Sequence, residues 1–469
     1  GVQYNALGQP VSWIWSVGNV QYQRSYDAYG RLVSYPLGNP GGSGISAGVT
    51  RTIAYDAAGR IVGYSHTTPV NWDQVFGYDG LDRLTGASLQ GGNVYSYAYD
   101  ATGNRTQTSI NGTAYADTVS ATSNRYSSVS NATGTASQGY DAAGNLTSDA
   151  AGTYTYSARG RMSMQTNAGG TFTYLYNGLG QRVYKSGPSS VIATGVAYYA
   201  YDTEGRLLGE YDATGKAVYE TVYMVDLPVA VLTQPALNQT TVSYAYADHL
   251  NTARVLVRPS DKAIVWNWGS AEPFGQSQVD ANPSGIGAFA YSSRFPGQVA
   301  DAESGWFYNW HRDYNAALGR YVQSDPVGLN GGVNTYLYVD ALPTLEVDAL
   351  GLMGAGGGGS TNSSAQHPAP MPAPSPAANC GCDHALQVCR ALVNGYNPAM
   401  KLASAMIGGG LGKVAGKSNA SAGVAGGAAA GIAGDVVEST TGMNRAGLLA
   451  GCDAGYKRCV AKCVDCSKK

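Results

Sequence analysis

A short unit, Tyr-Asp-x-x-Gly-x, recurs through the first half of the chain and constrains its fold more than any other feature. Copies begin at Tyr4, Tyr26, Tyr55, Tyr78, Tyr99, Tyr140, Tyr156, Tyr176, Tyr201 and Tyr211, with Asn or Ser replacing Asp in some. An acid or amide followed three residues later by Gly is a turn signal, because the side chain caps the turn and Gly accepts positive φ. Tyr before the turn and Leu, Ile or Arg after it fall on opposing strands, where they pack as cross-strand neighbours. One such hairpin cannot bury its own face, whereas stacked hairpins bury a continuous one. Residues 1–220 are therefore expected to be all-β. The repeated acids also suit metal or carbohydrate binding, but the shared turn context reads as capping, so no metal site is expected.

The composition agrees. Charged residues make up 13%, and there are 64 Gly and 35 Tyr against 6 Phe; an ordinary globular enzyme carries about 25% charge. The net charge of −2 divides into −7 over residues 1–352 and +5 over 353–469. So mild a basic tail is compatible with a membrane or polyanion contact but does not indicate a nucleic-acid partner. The chain starts at Gly1 without Met or a signal peptide, so the targeting region is expected to lie outside it.

Residues 221–292 lead into a distinct stretch, 293–352. In the lead-in, His249 stands beside Asp248 and reads as a structural, hydrogen-bonded histidine. The distinct stretch contains Asp325-Pro-Val-Gly-Leu329 and Asp348-Ala-Leu-Gly-Leu352. Two acids that share a proton can hydrolyse an amide, one activating water and the other protonating the leaving group. Gly331-Gly332 would permit a reversal between them, with Tyr336–Tyr338 as a strand. Spacing alone favours reading both acids as turn caps.

The Tyr-Asp array resembles the YD-repeat, or RHS-repeat, family, whose hairpins wind into a hollow β shell. Arg294-Phe-Pro-Gly-Gln, Arg312-Asp-Tyr-Asn-Ala-Ala-Leu-Gly-Arg320-Tyr321, Ser324-Asp-Pro-Val-Gly-Leu329 and Gly331-Gly-Val-Asn-Thr-Tyr336 are similar to the RHS-associated core. The resemblance implies an intramolecular aspartyl protease, also found in the C component of insecticidal toxin complexes. It implies Asp325 and Asp348 as the catalytic acids and Arg312 and Arg320 as residues that hold or polarise them. The cut is implied between Leu352 and Met353, freeing a C-terminal effector that stays inside the shell. No cofactor is implied. The implied partners are the chain's own tail as cargo, a secretion-system adaptor and an immunity protein, for a secreted or cell-surface bacterial protein. The family pattern Gly-Asn-Pro becomes Ala341-Leu-Pro343 here. The proline after the second Asp becomes Ala349, which relaxes the backbone there.

Residues 353–379 form a Gly/Ser-rich and then Pro-rich linker, expected to be extended. Residues 380–469 hold all seven cysteines and are expected to form a small α-helical tail. Cys382/Cys389 and Cys452/Cys459 are each seven apart, which suits two antiparallel helices joined by disulfides. Zinc held by Cys380, Cys382 or His384 with Cys463 and Cys466 is the competing arrangement. Gly408, Gly412, Gly416 and Gly423, Gly427, Gly431 form small-residue ladders of the kind seen between membrane helices. Two functions follow from the whole sequence. One is the C-terminal part of a polymorphic toxin, which encapsulates a membrane-active effector and releases it by self-cleavage. The other is a non-cleaving cell-surface or structural YD-repeat protein with a partner-binding tail.

Overall fold

Asp56 shows how the repeat closes on itself. Its Oδ1 accepts hydrogen bonds from the Ala58 and Arg60 amides at 2.9 Å each, and its Oδ2 receives Arg60 Nε at 2.7 Å. Gly59, with φ +84°, supplies the left-handed residue. Arg60 holds the Asp56 carboxyl below the usual carboxylate range. Asp27 and Asp79 repeat the arrangement, and at Asp100 the amide of Asn104 replaces the guanidinium.

The preference for Tyr over Phe has a direct cause. Tyr55 Oη donates to the Leu32 carbonyl at 2.9 Å, Tyr99 to Leu84 at 2.7 Å, Tyr176 to Met162 at 2.7 Å and Tyr201 to Arg182 at 2.9 Å. Each acceptor is the sixth residue after the tyrosine of a preceding unit. The phenol thus stitches one hairpin to the one before, a bond of about 1 kcal/mol that Phe cannot make. The turn arginine lies beneath the same ring, with Arg31 4.3 Å from the centre of Tyr55 and Arg83 4.9 Å from Tyr99.

The computed structural model describes residues 1–15, 20–38, 48–67, 71–236 and 239–352. Among these residues 32 strands form five antiparallel sheets, spanning residues 3–23, 25–116, 118–137, 139–267 and 298–321. Strands are paired in strict sequence order within each sheet. The pairing slips at the unit's tyrosine, as at Ala54/Tyr55, Gly77/Tyr78 and Ala200/Tyr201, so the turn and the bulge recur together. The thirteen-stranded sheet runs without a break through residue 220 into the lead-in. There Asp248 forms a further turn of the same kind. Its Oδ1 accepts from the Leu250 and Thr252 amides and its Oδ2 from Arg254 Nε, with Asn251 at φ +60° in the glycine place. His249 is half-buried, its Nε2 2.7 Å from the Thr344 carbonyl. A carbonyl can only accept, so the ring donates and serves a structural bond.

Two large apolar clusters, rich in tyrosine and tryptophan, underlie the long sheets. A third, of Phe307, Tyr314, Ala316, Tyr321, Tyr338 and Val339, lies under the last four-stranded sheet. The last sheet is fixed to earlier turns by Tyr314 Oη on the Phe274 carbonyl, Tyr336 Oη on the Gly144 carbonyl and the buried Arg182–Asp301 pair. The tail expectations (linker, helices, Cys382, Cys389, Cys452, Cys459, zinc and the glycine ladders) lie outside the described residues.

Candidate active site

Arg312 opens the strand Arg312–Asn315, third in the last sheet, and its guanidinium is fully buried. The strand Arg320–Tyr321 pairs beside it, and the Tyr321 ring lies against the guanidinium at 3.7 Å. Asp325 follows this strand directly, and Asp348 arrives from the far end of the stretch. Arg312 Nη2 is 2.9 Å from Asp325 Oδ2 and 3.4 Å from Asp348 Oδ2. The two carboxylates, 4% and 2% exposed, thus share one buried cation.

Both acids are also turn caps. Asp325 Oδ1 accepts the Val327 amide at 2.9 Å, and the Gly328 amide bonds the Asp325 carbonyl at 3.0 Å. Asp348 Oδ1 accepts the Leu350 and Leu352 amides at 3.3 and 3.0 Å, the same two positions that Asp56 binds in its own turn. The repeat's turn therefore presents each acid with one oxygen spent on capping and the other turned toward Arg312. Ala349 stands where the repeat turns carry Ala57 and Ala142, so this turn forms without proline.

The chain leading to Leu352 is held along its length. Asn309 Nδ2 donates to the Asp348 carbonyl at 2.8 Å. The His311 amide and Nδ1 lie 3.2 and 2.9 Å from the Leu350 carbonyl. Burial lowers His311 to about 4, so at neutral pH the ring is uncharged and donates through Nδ1. Arg312 Nε donates to the Gly351 carbonyl at 2.6 Å. A Cβ on Gly351 would come within 2.3 Å of the Asn309 carbonyl oxygen, and one on Gly297 within 2.1 Å of that of Ala349. Glycine at both places lets the segment pass this close.

The acids sit in unlike surroundings. Burial pushes the Asp325 carboxyl up, only partly offset by Arg312 and the Val327 amide. Asp325 Oδ2, although beside Arg312, makes no well-aligned hydrogen bond among the described residues. Asp348 Oδ2 receives the Tyr321 hydroxyl at 2.8 Å as well as Arg312.

Two sequence expectations are corrected. Arg320 does not reach the acids. Its guanidinium bonds Asn104 Oδ1 and the Asn124 carbonyl and stacks on Tyr126 and Tyr336, tying the last sheet to earlier repeats. Tyr336–Tyr338 forms a single bridge, Arg320 with Leu337, because the following residues turn left-handed. Val339, Asp340 and Ala341 have φ of +42°, +53° and +58°, a run that costs non-glycine residues roughly 1–2 kcal/mol each. This accounts for glycine at the Ala341 place in the family pattern. Ala341→Gly is expected to raise the melting midpoint by roughly 2 °C, read by calorimetry. Met353 lies outside the described residues. Asn309, His311 and Tyr321 were given no role from the sequence, although all three fall inside the matched core stretch.

A family model for the Teneurin YD-shell matches residues 48–330. Over 126 residues the chain is 35% identical to Toxin protein Tse5 of Pseudomonas aeruginosa, covering 27% of this chain and 9% of that one. Over 245 residues it is 29% identical to Double-stranded DNA deaminase toxin A of Burkholderia cenocepacia, covering 46% of this chain and 17% of the relative. The crystal structure of TcdB2-TccC3 without its hypervariable C-terminal region superposes with a TM-score of 0.58 at 19% identity, covering 75% of this chain and 19% of that one. The chain spans less than a fifth of the length of any of these three. Among the described residues no helix is long and apolar enough to cross a membrane. With the repeat turns, the ordered hairpins and a family match over more than half its length, the chain belongs to the Teneurin YD-shell family, within the RHS/YD-repeat polymorphic toxins.

Proposed function

We propose that residues 293–352 form an intramolecular aspartyl protease that cuts the Leu352–Met353 bond. The observation that carries this reading is the convergence of Asp325 Oδ2 and Asp348 Oδ2 on Arg312 while Asp348 Oδ1 holds the Leu352 amide. Asp348, supplied with donors, is the carboxylate that takes a proton from water as its oxygen adds to the Leu352 carbonyl carbon. Asp325, pushed up by burial, is the acid. It protonates the leaving nitrogen, so the C–N bond breaks to a Leu352 carboxylate and a Met353 amine. Arg312 fixes both acids and the Gly351 carbonyl; the bonds to the 348–351 backbone hold the substrate strand in place.

The product of the cut is the C-terminal tail, read here as the cargo of a secreted or cell-surface bacterial toxin. An export adaptor and an immunity protein would be its partners. Mass spectrometry of the purified full chain tests the cleavage: a fragment beginning at Met353 is expected, and an intact chain under native conditions sinks the reading. The glycine ladders favour a membrane-active cargo. The released tail is then expected to leak dye from anionic vesicles, oxidised or reduced. No leakage in either state rejects membrane activity and leaves a tail that binds a partner.

A further inference from the structure

Trp310 and His311 form the two-residue loop between the strands Phe307–Asn309 and Arg312–Asn315, with Asn309 and Arg312 paired across it. Trp310 has φ +46° in the first central place of the loop, where glycine is preferred because other residues rarely adopt positive φ. What holds a tryptophan there is the shell. Its Nε1 donates to the Leu179 carbonyl at 3.2 Å, and its ring lies so close to Gly205 that a Cβ there would come within 2.2 Å of it. Arg161 Nη1 donates to the His311 carbonyl at 3.0 Å. Arg161, Leu179 and Gly205 belong to the turns of three successive repeat units, those of Tyr156, Tyr176 and Tyr201. On its other side the loop grips the strand that leads to Leu352. The His311 amide and Nδ1 both face the Leu350 carbonyl, which can only accept, so Nδ1 carries the proton. The Trp310 and His311 rings are stacked, 5.6 Å apart and 15° from parallel.

We propose that Trp310 and His311 are positioning residues that make self-cleavage depend on the packed repeats: three shell turns hold the loop, and the loop holds the strand two residues before the cut. This rests on the self-cleavage reading above and adds its regulation. A strained residue persists only where its surroundings over-determine it. Here the surroundings come from far away in the chain, with Leu179 131 residues before Trp310 and Arg161 150 before His311. Until those turns have packed, the loop lacks its anchors and the Leu350 carbonyl is not held in register with the acids. A misplacement of about 1 Å can cost about a hundredfold in rate, enough to keep a half-folded chain uncut. The cut thereby waits for the repeats beside it.

The test follows the split of freshly synthesised full chain in a cell-free system. Melting midpoints are read on the same variants carrying Asp325→Asn, so that no cut intervenes. Gly205→Ala puts a Cβ against the Trp310 ring and is expected to slow the split at least about tenfold. Gly215→Ala is its control: that glycine has φ +80° against +85° at Gly205, in the same kind of turn, and a Cβ there meets nothing within 4 Å. It is expected to cut at the wild-type rate. Trp310→Gly keeps the backbone of the loop and removes the ring, so it too is expected to slow the split. Adding Gly205→Ala to it is expected to cost nothing more, because the ring that the Cβ displaces is gone. In His311→Asn a donor remains near the Nδ1 place, and the rate is expected to stay close to wild type; His311→Leu has none and is expected to be about tenfold slower. Equal rates for the two alanine variants, equal rates for the two His311 variants, or a wild-type rate in Trp310→Gly overturns the proposal. So does a loss of rate that simply tracks the melting midpoint. If wild type does not split, or Asp348→Asn still splits, the self-cleavage reading falls and this one falls with it. A normal result for those two with equal alanine variants removes the coupling alone.

Discussion

Asp325→Asn and Asp348→Asn are each expected to leave the chain whole, and wild type is expected to yield a fragment that begins at Met353. Each amide keeps an oxygen for the capping bonds, to Val327 in one case and to Leu350 and Leu352 in the other, so both turns survive. What is lost is the second oxygen, the one turned toward Arg312. An amide can neither take the proton from water nor give one to the leaving nitrogen. General acid or base catalysis contributes about 10²- to 10⁴-fold, so a loss of at least about a hundredfold is expected from each substitution. The two variants differ in stability. In Asp348→Asn the Nδ2 group meets two donors, Arg312 Nη2 and the Tyr321 hydroxyl, at a cost of about 1–3 kcal/mol. In Asp325→Asn the carboxyl that burial disfavours is removed, which offsets part of the lost ion contact. Cleavage that persists in either variant removes that acid from the mechanism.

The architecture was legible because the unit's chemistry is local. Asp, the left-handed Gly and the arginine all bond within five residues, so the turn can be read from the letters alone. What the tyrosine does was harder to read, since its acceptor is a carbonyl some twenty residues upstream and a carbonyl has no sequence signature. The site shows the same division. Whether Asp325 and Asp348 cap turns or form a pair looked like a choice between readings, and the geometry shows one oxygen of each acid in a turn and the other on Arg312. Arg312 and Arg320 are alike in sequence, both on the last sheet, yet their chemistry differs because their side chains enter different layers. Arg312 enters the space between the acids and Arg320 the space between Asn104, Asn124 and Tyr126. No spacing rule distinguishes such a pair. Ala341 was visible as a departure from the family pattern, but its positive φ required the backbone.

Arg312→Met is expected to be the most destabilising single change in this stretch. The side chain is of similar length and can still lie on Tyr321, so the packing loss is modest. The electrostatic loss is large: Asp325 and Asp348 remain buried without the guanidinium, and the Gly351 and Thr335 carbonyls lose its Nε and Nη1. Breaking a buried ion pair in this way costs about 3–5 kcal/mol, or roughly 5–10 °C in melting midpoint for a body of this size. Without the cation the Asp325 carboxyl, which burial already raises, loses the group that offsets this and rises further above its unfolded value. A group so raised contributes stability that is complete below the unfolded pKa and is lost as the pH climbs through the folded one. The deficit against wild type is therefore expected to be greatest at neutral pH and to shrink in mild acid, where the Asp325 carboxyl can be buried uncharged. Arg312→Lys should lie between the two, since it keeps the charge but lacks the fork that reaches both carbonyls and both acids. Calorimetry at neutral and mildly acid pH decides the matter. A deficit that does not change with pH would assign the loss to the two carbonyl bonds and the packing, and the shared cation would then not be what holds the acids in place.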